Sequence, residues 1–363
     1  MNKPKFKDIE IAISRGRLLQ AVDLAIEVMG PNLSDSDRNM LDGLRQSYSY
    51  MLEYALTGNE DPGRRLLIDD VRCDLRGLMA EYRMDRRMAA SSSTLPSLRR
   101  LDKIQKTSFS MLLDQYRASQ GMLMLSEESG QNDSSLHSES ERFENMIFEK
   151  ILALDFSDRN SLRLIKRVLS DSDIPFSLKA LIIAAIYLTL SYYFSRHKFL
   201  LLLDLLDSTD DERLKARVMT TVFLILLQWH DEAKTDYRVA ERLEEWNGSL
   251  LNYTMLRDVV KVFLRSLDTA RISEKMRRDF MPDMNSMNGD IMKSLREKLK
   301  KGEVIDPEMN PEWEELMRKT GMDKKLREFQ ELQDEGADLL MFPLSQIKQI
   351  NPFFNRLSNW FLP

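Results

Sequence analysis

The most apolar stretch of the chain, SLKALIIAAIYLTLSYYF, covers residues 177–194. Its uninterrupted part, after Lys179, is about 15 residues long, whereas a membrane-spanning helix needs about 20. Polar groups dilute its second half, and three basic residues, 196–198, follow at once. We therefore predict a helix buried inside a folded protein and no membrane span.

The pattern of this region recurs after 37 residues, because 164–193 aligns with 201–230. Each copy predicts a short amphipathic helix, a turn rich in Ser and Asp, and a longer apolar helix. Ser and Asp favour such turns because their side chains cap the free N–H groups of the helix that follows. A helix covered by neighbours on both sides can be apolar all round, which explains the opening stretch.

The second copy, LLDSTDDERLKARVMTTVFLIL, resembles a HEAT repeat, with acidic residues in the turn and a basic residue, Arg217, early in the second helix. The period lies between those of tetratricopeptide and HEAT repeats. Two later stretches, FQELQDEGADLLMF and NPFFNRLSNWFLP, are similar to large bacterial helical-repeat proteins without an assigned activity. These resemblances imply an all-α fold of stacked antiparallel helix pairs, α-solenoid-like, and no particular chemistry.

Apolar residues at helical spacing continue along most of the chain, and 13 Gly and 11 Pro in 363 residues leave few interruptions. We expect an N-terminal helical bundle or first repeat block at 1–125 and HEAT-like repeats at 143–270. Residues 126–142, Ser-rich and acidic, predict a flexible linker between them. The last helical region, 271–363, ends in closely spaced aromatic residues, and we expect it to be truncated from a longer repeat protein.

Bulk composition restricts the function only weakly. The net charge of −5 gives the whole chain no attraction to nucleic acid or anionic lipid. The single cysteine, Cys73, excludes an intrachain disulfide, and the N-terminus has no apolar run of the length that a secretory signal needs. We therefore expect a cytoplasmic protein.

Sequence motifs of catalysis are missing. The chain contains no Walker-type phosphate loop, no GxGxxG or GxSxG and no HExxH or CxxC pattern. The three histidines, His137, His197 and His230, fall short of a metal ligand set, and Cys73 has no histidine nearby to act as its base. We expect no enzyme activity, metal or cofactor.

The function that this architecture favours is a scaffold for protein–protein interaction, because stacked helix pairs offer a long surface for a protein or peptide. The predicted partner-binding residues lie on the first helices of the two copies: Arg163, Arg167, Arg196, His197 and Lys198. The sequence does not indicate the partner or the oligomeric state.

An alternative is a nucleic-acid-binding repeat protein. Six basic residues flank the loop AASSSTLP and would share one end of a helical hairpin: Arg83, Arg86, Arg87, Arg99, Arg100 and Lys103. They could contact phosphates. No aromatic residues are interleaved for base stacking, so a solvated helix end explains the same cluster.

Overall fold

The computed structural model describes residues 5–58, 62–89, 107–130, 134–154, 158–247, 250–267, 274, 278 and 351–361. The described residues form thirteen α-helices and contain no strand, which confirms the all-α prediction. The helices are α1 (Phe6–Ser14), α2 (Leu18–Met29), α3 (Asp35–Leu56), α4 (Arg64–Ala89), α5 (Phe109–Glu128), α6 (Ser134–Ala153), α7 (Arg159–Ser170), α8 (Phe176–Tyr192), α9 (Arg196–Ser208), α10 (Glu212–Gln228), α11 (His230–Thr235), α12 (Tyr237–Asn247) and α13 (Leu250–Leu267).

The chain divides into two compact units. The first contains residues 1–256 and 361–363, and the second contains residues 257–360. In the described part of the second unit, residues 351–360 form two 3₁₀ turns, where the Trp360 indole N–H donates to the Phe354 carbonyl at 2.7 Å. The boundary expected at 126–142 does not coincide with this division.

The opening apolar stretch is helix α8, and it is buried on nearly every side. Its buried residues include every position from 180 to 186. Helices α6, α7, α9 and α10 all pack against it, so no polar face is needed. In the described part of the chain, no helix combines the length and the apolar character that crossing a membrane requires.

The helix pairs α7–α8 and α9–α10 correspond to the two aligned segments of the sequence. Helix α7 begins at residue 159 and α9 at residue 196, an offset of 37, while α8 and α10 begin at residues 176 and 212, an offset of 36. The first helices α7 and α9 pack together, and so do the second helices α8 and α10. A hydrogen bond also joins the two pairs: Trp229 Nε1, just after α10, donates to the Leu190 carbonyl of α8 at 2.7 Å.

The predicted capping role of the turns is met in one copy and replaced in the other. Asp211 accepts hydrogen bonds from the backbone N–H groups of Arg213 and Leu214 and so caps α10. Helix α8 instead begins after Pro175, whose side chain offers no hydrogen bond. The ring of Pro175 fixes a backbone angle that suits the approach to a helix, so this start needs no Asp.

The flexible linker predicted at 126–142 is wrong for most of its length. Residues 126–128 end α5 and residues 134–142 belong to α6, and these two helices pack together. Gly130 ends α5 with a φ of +70°, the left-handed conformation that glycine adopts without strain. The first turns of α6 are mostly exposed, and their polar composition therefore resembles that of a linker. They nevertheless begin a helix whose later residues Ile147, Phe148 and Ile151 are buried.

Candidate functional site

A buried arginine joins helix α9 to helix α4. The side chain of Arg196, the first residue of α9, is only 5% exposed. Its Nη1 donates to Asp70 Oδ1 at 2.7 Å and its Nη2 to Asp74 Oδ1 at 2.6 Å. Asp70 and Asp74 lie four residues apart on α4 and therefore share one face of that helix. A buried guanidinium group needs such partners because an unpaired buried charge is costly.

Two further arginines extend this pairing on either side. Arg159 Nη2 donates to Asp74 Oδ2 at 3.1 Å, and Arg238 Nη2 donates to Asp70 Oδ2 at 2.5 Å. The result is an alternating series, Arg159–Asp74–Arg196–Asp70–Arg238, here called the arginine–aspartate chain. Its two outer arginines are about half exposed, at 55% and 53%, while its centre is buried.

The three arginines lie at the beginnings of three helices. Arg159 is the first residue of α7 and Arg196 is the first residue of α9, equivalent positions at the 37-residue offset. Arg238 is the second residue of α12. Helix α9 packs against α7, α12 and α4, so three helix beginnings lie near the same two aspartates. The positive ends of the helix dipoles add to the attraction for these carboxylates.

Asp236 forms a third acidic contact on another side of Arg196. Its Oδ2 lies 3.7 Å from Arg196 Nε, while its Oδ1 accepts from the backbone N–H groups of Arg238 and Val239 at the start of α12. Burial, with the nearby Asp236 carboxylate, raises the pKa of the Cys73 thiol to about 12. This cysteine is therefore protonated at neutral pH and lacks the thiolate that a nucleophile needs.

His197 is held uncharged beside the arginine–aspartate chain. Burial lowers its pKa to about 4, and the positive charges of Arg159, Arg196 and Arg238 act in the same direction. Burial raises the pKa of Asp74, and Arg196 and Arg159 oppose that rise. Neutral His197 leaves the arginines as the positive groups of the site. Within the described ranges, no group of three or more His, Cys, Asp or Glu side chains is arranged to hold a metal ion.

A pocket of about 490 Å³ opens beside the arginine–aspartate chain. All five members of the chain line it together with His197, and residues of α3 and α4 complete the lining. The residues there are partly polar and partly apolar: Ser36, Asn39, Met40, Gly43, Leu44, Ser47, Leu67 and Val71. Guanidinium groups around such a space offer N–H donors in a geometry that suits carboxylate and phosphate oxygens.

The predicted partner-binding residues fall into two groups. Arg163 and Arg167 are exposed on α7, as a docking surface requires. Arg196 and Lys198 are buried, and His197 is largely buried, so these three side chains do not form the exposed surface that was expected. The reason is that α9 begins within the packed interface with α4. Lys198 instead points to the Tyr193 hydroxyl at 3.4 Å, which in turn donates to Glu81 Oε1 at 3.2 Å.

The alternative basic cluster is described only in part. Arg83 lies 4.8 Å above the Phe6 ring and 3.6 Å from Glu10, and Arg86 is exposed. The side chain of Arg87 and the whole of Arg99, Arg100 and Lys103 lie outside the described residues. The structure therefore does not bring the six together or separate them.

Comparisons with known proteins identify no relative. No protein-family model matches the chain, and searches against characterised proteins and against solved structures give no match.

Sequence reasoning missed most of the arginine–aspartate chain. Asp70, Asp74, Arg159 and Arg238 belong to none of the sites predicted from the sequence. One signal was available: Arg159 and Arg196 are equivalent in the repeat, and Asp70 and Asp74 share a helix face. The distance of 126 residues between Asp70 and Arg196 concealed their contact.

Proposed function

We propose that the protein is a non-enzymatic scaffold whose stacked helix pairs, HEAT- or tetratricopeptide-like in character, hold a partner protein. The supporting observation is the recurrence of helix bounds in α7–α8 and α9–α10, with first helices packed on first helices and second on second. Repeated pairs of this kind place the outer faces of their first helices in a row, and such rows serve as binding surfaces.

The proposed docking surface is the exposed face of α7, α9 and α12. Charges on α9 and α12 are already paired there: Lys166 of α7 contacts Asp204 at 2.5 Å, and Arg242 contacts Asp207. Arg163 and Arg167 of α7 are exposed, and no ion pair joins either one to another residue in the described ranges. Two available positive charges favour a partner with an acidic face. Arg196 and Lys198 support this surface from inside.

The test is an affinity pull-down from native lysate with the full chain as bait, treated with nuclease and analysed by mass spectrometry. The variant Arg163→Glu/Arg167→Glu changes the docking surface. Its control, Arg15→Glu/Arg17→Glu, makes the same change in net charge at exposed positions around the α1–α2 turn. We expect the first variant to lose proteins that the wild type and the control retain.

Two outcomes contradict this placement. Equal capture by both variants means that α7 does not provide the surface. Loss of all enrichment after nuclease treatment means that the partner is a nucleic acid, and attention then moves to the basic cluster between residues 83 and 103.

A further inference from the structure

We propose that the pocket beside the arginine–aspartate chain binds a small organic anion, whose phosphate or carboxylate group is recognised by the terminal arginines, Arg159 and Arg238. This activity goes beyond the scaffold function and does not depend on it. The scaffold surface uses the exposed face of α7, whereas the pocket lies where α7, α9 and α12 begin against α4.

The order of charges places arginines at the exposed ends of the arginine–aspartate chain. Its two terminal arginines are its most exposed members, whereas Asp236 pairs with Arg196 from outside the pocket lining. Among the described pocket-lining side chains, Asp70 and Asp74 are the acidic residues, and His197 is uncharged. An anion that enters the pocket can therefore bind at the terminal guanidinium groups and extend the alternation of charges.

The terminal arginines also supply hydrogen-bond donors to the pocket. A guanidinium group carries five N–H donors. Arg159 and Arg238 each direct one nitrogen to the chain's carboxylates, at 3.1 and 2.5 Å, and both side chains remain about half exposed. Their remaining N–H groups have room to bind the oxygens of a planar carboxylate or a phosphate in pairs. Arg196, only 5% exposed and lining the same pocket, fixes the two aspartates that position them.

The beginnings of three helices reinforce this charge. Helices α7, α9 and α12 have 12, 13 and 11 residues and all begin near the chain. Helix beginnings carry a positive partial charge that favours anions, and Asp158 and Asp236 already cap α7 and α12. Here they act together with the guanidinium groups.

The other lining residues indicate that the ligand has an uncharged body. Met40, Leu44 and Leu67, which are partly exposed, provide apolar contacts, and Asn39 provides an amide for hydrogen bonding. A volume of about 490 Å³ falls within the range of small-molecule sites and exceeds what a bare phosphate fills. A nucleotide-sized or sugar-sized phosphate, or an organic acid of similar size, fits these requirements.

Isothermal titration calorimetry on the full chain tests the proposal with inorganic phosphate, citrate and AMP as probes, each at low and at high NaCl. We expect AMP or citrate to bind more tightly than inorganic phosphate, with affinity falling as salt rises. Stronger binding of AMP would assign a phosphate ligand, and stronger binding of citrate a carboxylate ligand. The variants Arg159→Gln and Arg238→Gln should each weaken binding about tenfold or more.

The matched control is Arg163→Gln, one turn further along α7 and outside the pocket, which should leave affinity unchanged. If a Gln variant melts much earlier than the wild type, Arg159→Lys and Arg238→Lys keep the charge and should still weaken binding, because lysine lacks the paired donors. Millimolar probes that give no heat, or equal affinities for Arg159→Gln and Arg163→Gln, would overturn the proposal. Neither result bears on partner capture by Arg163 and Arg167, so the two proposals fail separately.

Discussion

Replacing Arg196 by leucine should destabilise the first unit strongly. The substitution leaves Asp74, which is 4% exposed, and Asp70, which is 22% exposed, without their central partner. Asp236, also 4% exposed, loses its contact with Arg196 Nε. Breaking a buried ion pair by removing one member costs about 3–5 kcal/mol, because the remaining charge is uncompensated. For a unit of this size, the loss corresponds to a fall in Tm of about 6–20 °C.

Urea denaturation and calorimetry measure this loss, and Arg45→Leu is the control. Arg45 makes an equally short contact, 2.6 Å to Asp23, but both side chains are about half exposed. Exposed ion pairs contribute little to stability, so Arg45→Leu should lower the free energy of unfolding much less than Arg196→Leu. The double variant Arg196→Leu/Asp74→Asn should recover part of the loss, because it removes one of the charges left behind. Similar effects of Arg196→Leu and Arg45→Leu would refute the role given to burial.

The remaining predictions concern pH and helix termination. Burial lowers the pKa of His197 from 6.5 to about 4, so on acidification the unfolded chain binds a proton at this histidine before the folded chain does. Neutral His197 therefore costs no stability above pH 6.5, and the free energy of unfolding falls as the pH drops from 6.5 towards 4. This loss in the free energy of unfolding is about 3 kcal/mol. The urea midpoint should therefore fall less between pH 6.5 and 4 for His197→Gln than for the wild type. Parallel plots of urea midpoint against pH would contradict the lowered pKa of His197. Just after the end of α5, Gly130→Ala should lower the free energy of unfolding by about 1–2 kcal/mol, because φ is +70° there and alanine is strained in the left-handed conformation. Gly121→Ala, in the same helix and with nothing within 4 Å of the added Cβ, should raise it by about 1 kcal/mol, and equal signs would contradict this account.

The sequence was informative where local pattern and packing agree. The aligned segments 164–193 and 201–230 each predicted a short helix, a turn and a longer apolar helix, and the structure has the pairs α7–α8 and α9–α10 there. Short-range apolar periodicity determines where a helix can bury a face. The apolar run in α8 is shorter than a membrane span requires, and its length alone therefore favoured a buried helix. Composition gave the wrong prediction, a linker, at residues 134–142, because an exposed helical turn and a linker are equally polar.

The site was harder to predict because its members are far apart in the chain. Periodicity indicates which face of α4 carries Asp70 and Asp74, but it does not indicate which helix lies opposite. Arg196 looked like a surface residue because charged side chains usually are. Its burial follows from the contact between α9 and α4, which is a property of the tertiary structure.

The arginine–aspartate chain also has a consequence for synthesis on the ribosome. Asp70 is separated from Arg196 by 126 residues and from Arg238 by 168. At about 5–20 residues per second, roughly 6–25 s pass before Arg196 follows Asp70 out of the peptidyl transferase centre. Until Arg159 is made, 85 residues after Asp74, α4 carries both carboxylates without an arginine, and the central pairing waits for Arg196. The contact face of α4 is therefore completed only after α9 has been made, and a nascent chain halted before residue 196 should remain sensitive to protease along α4.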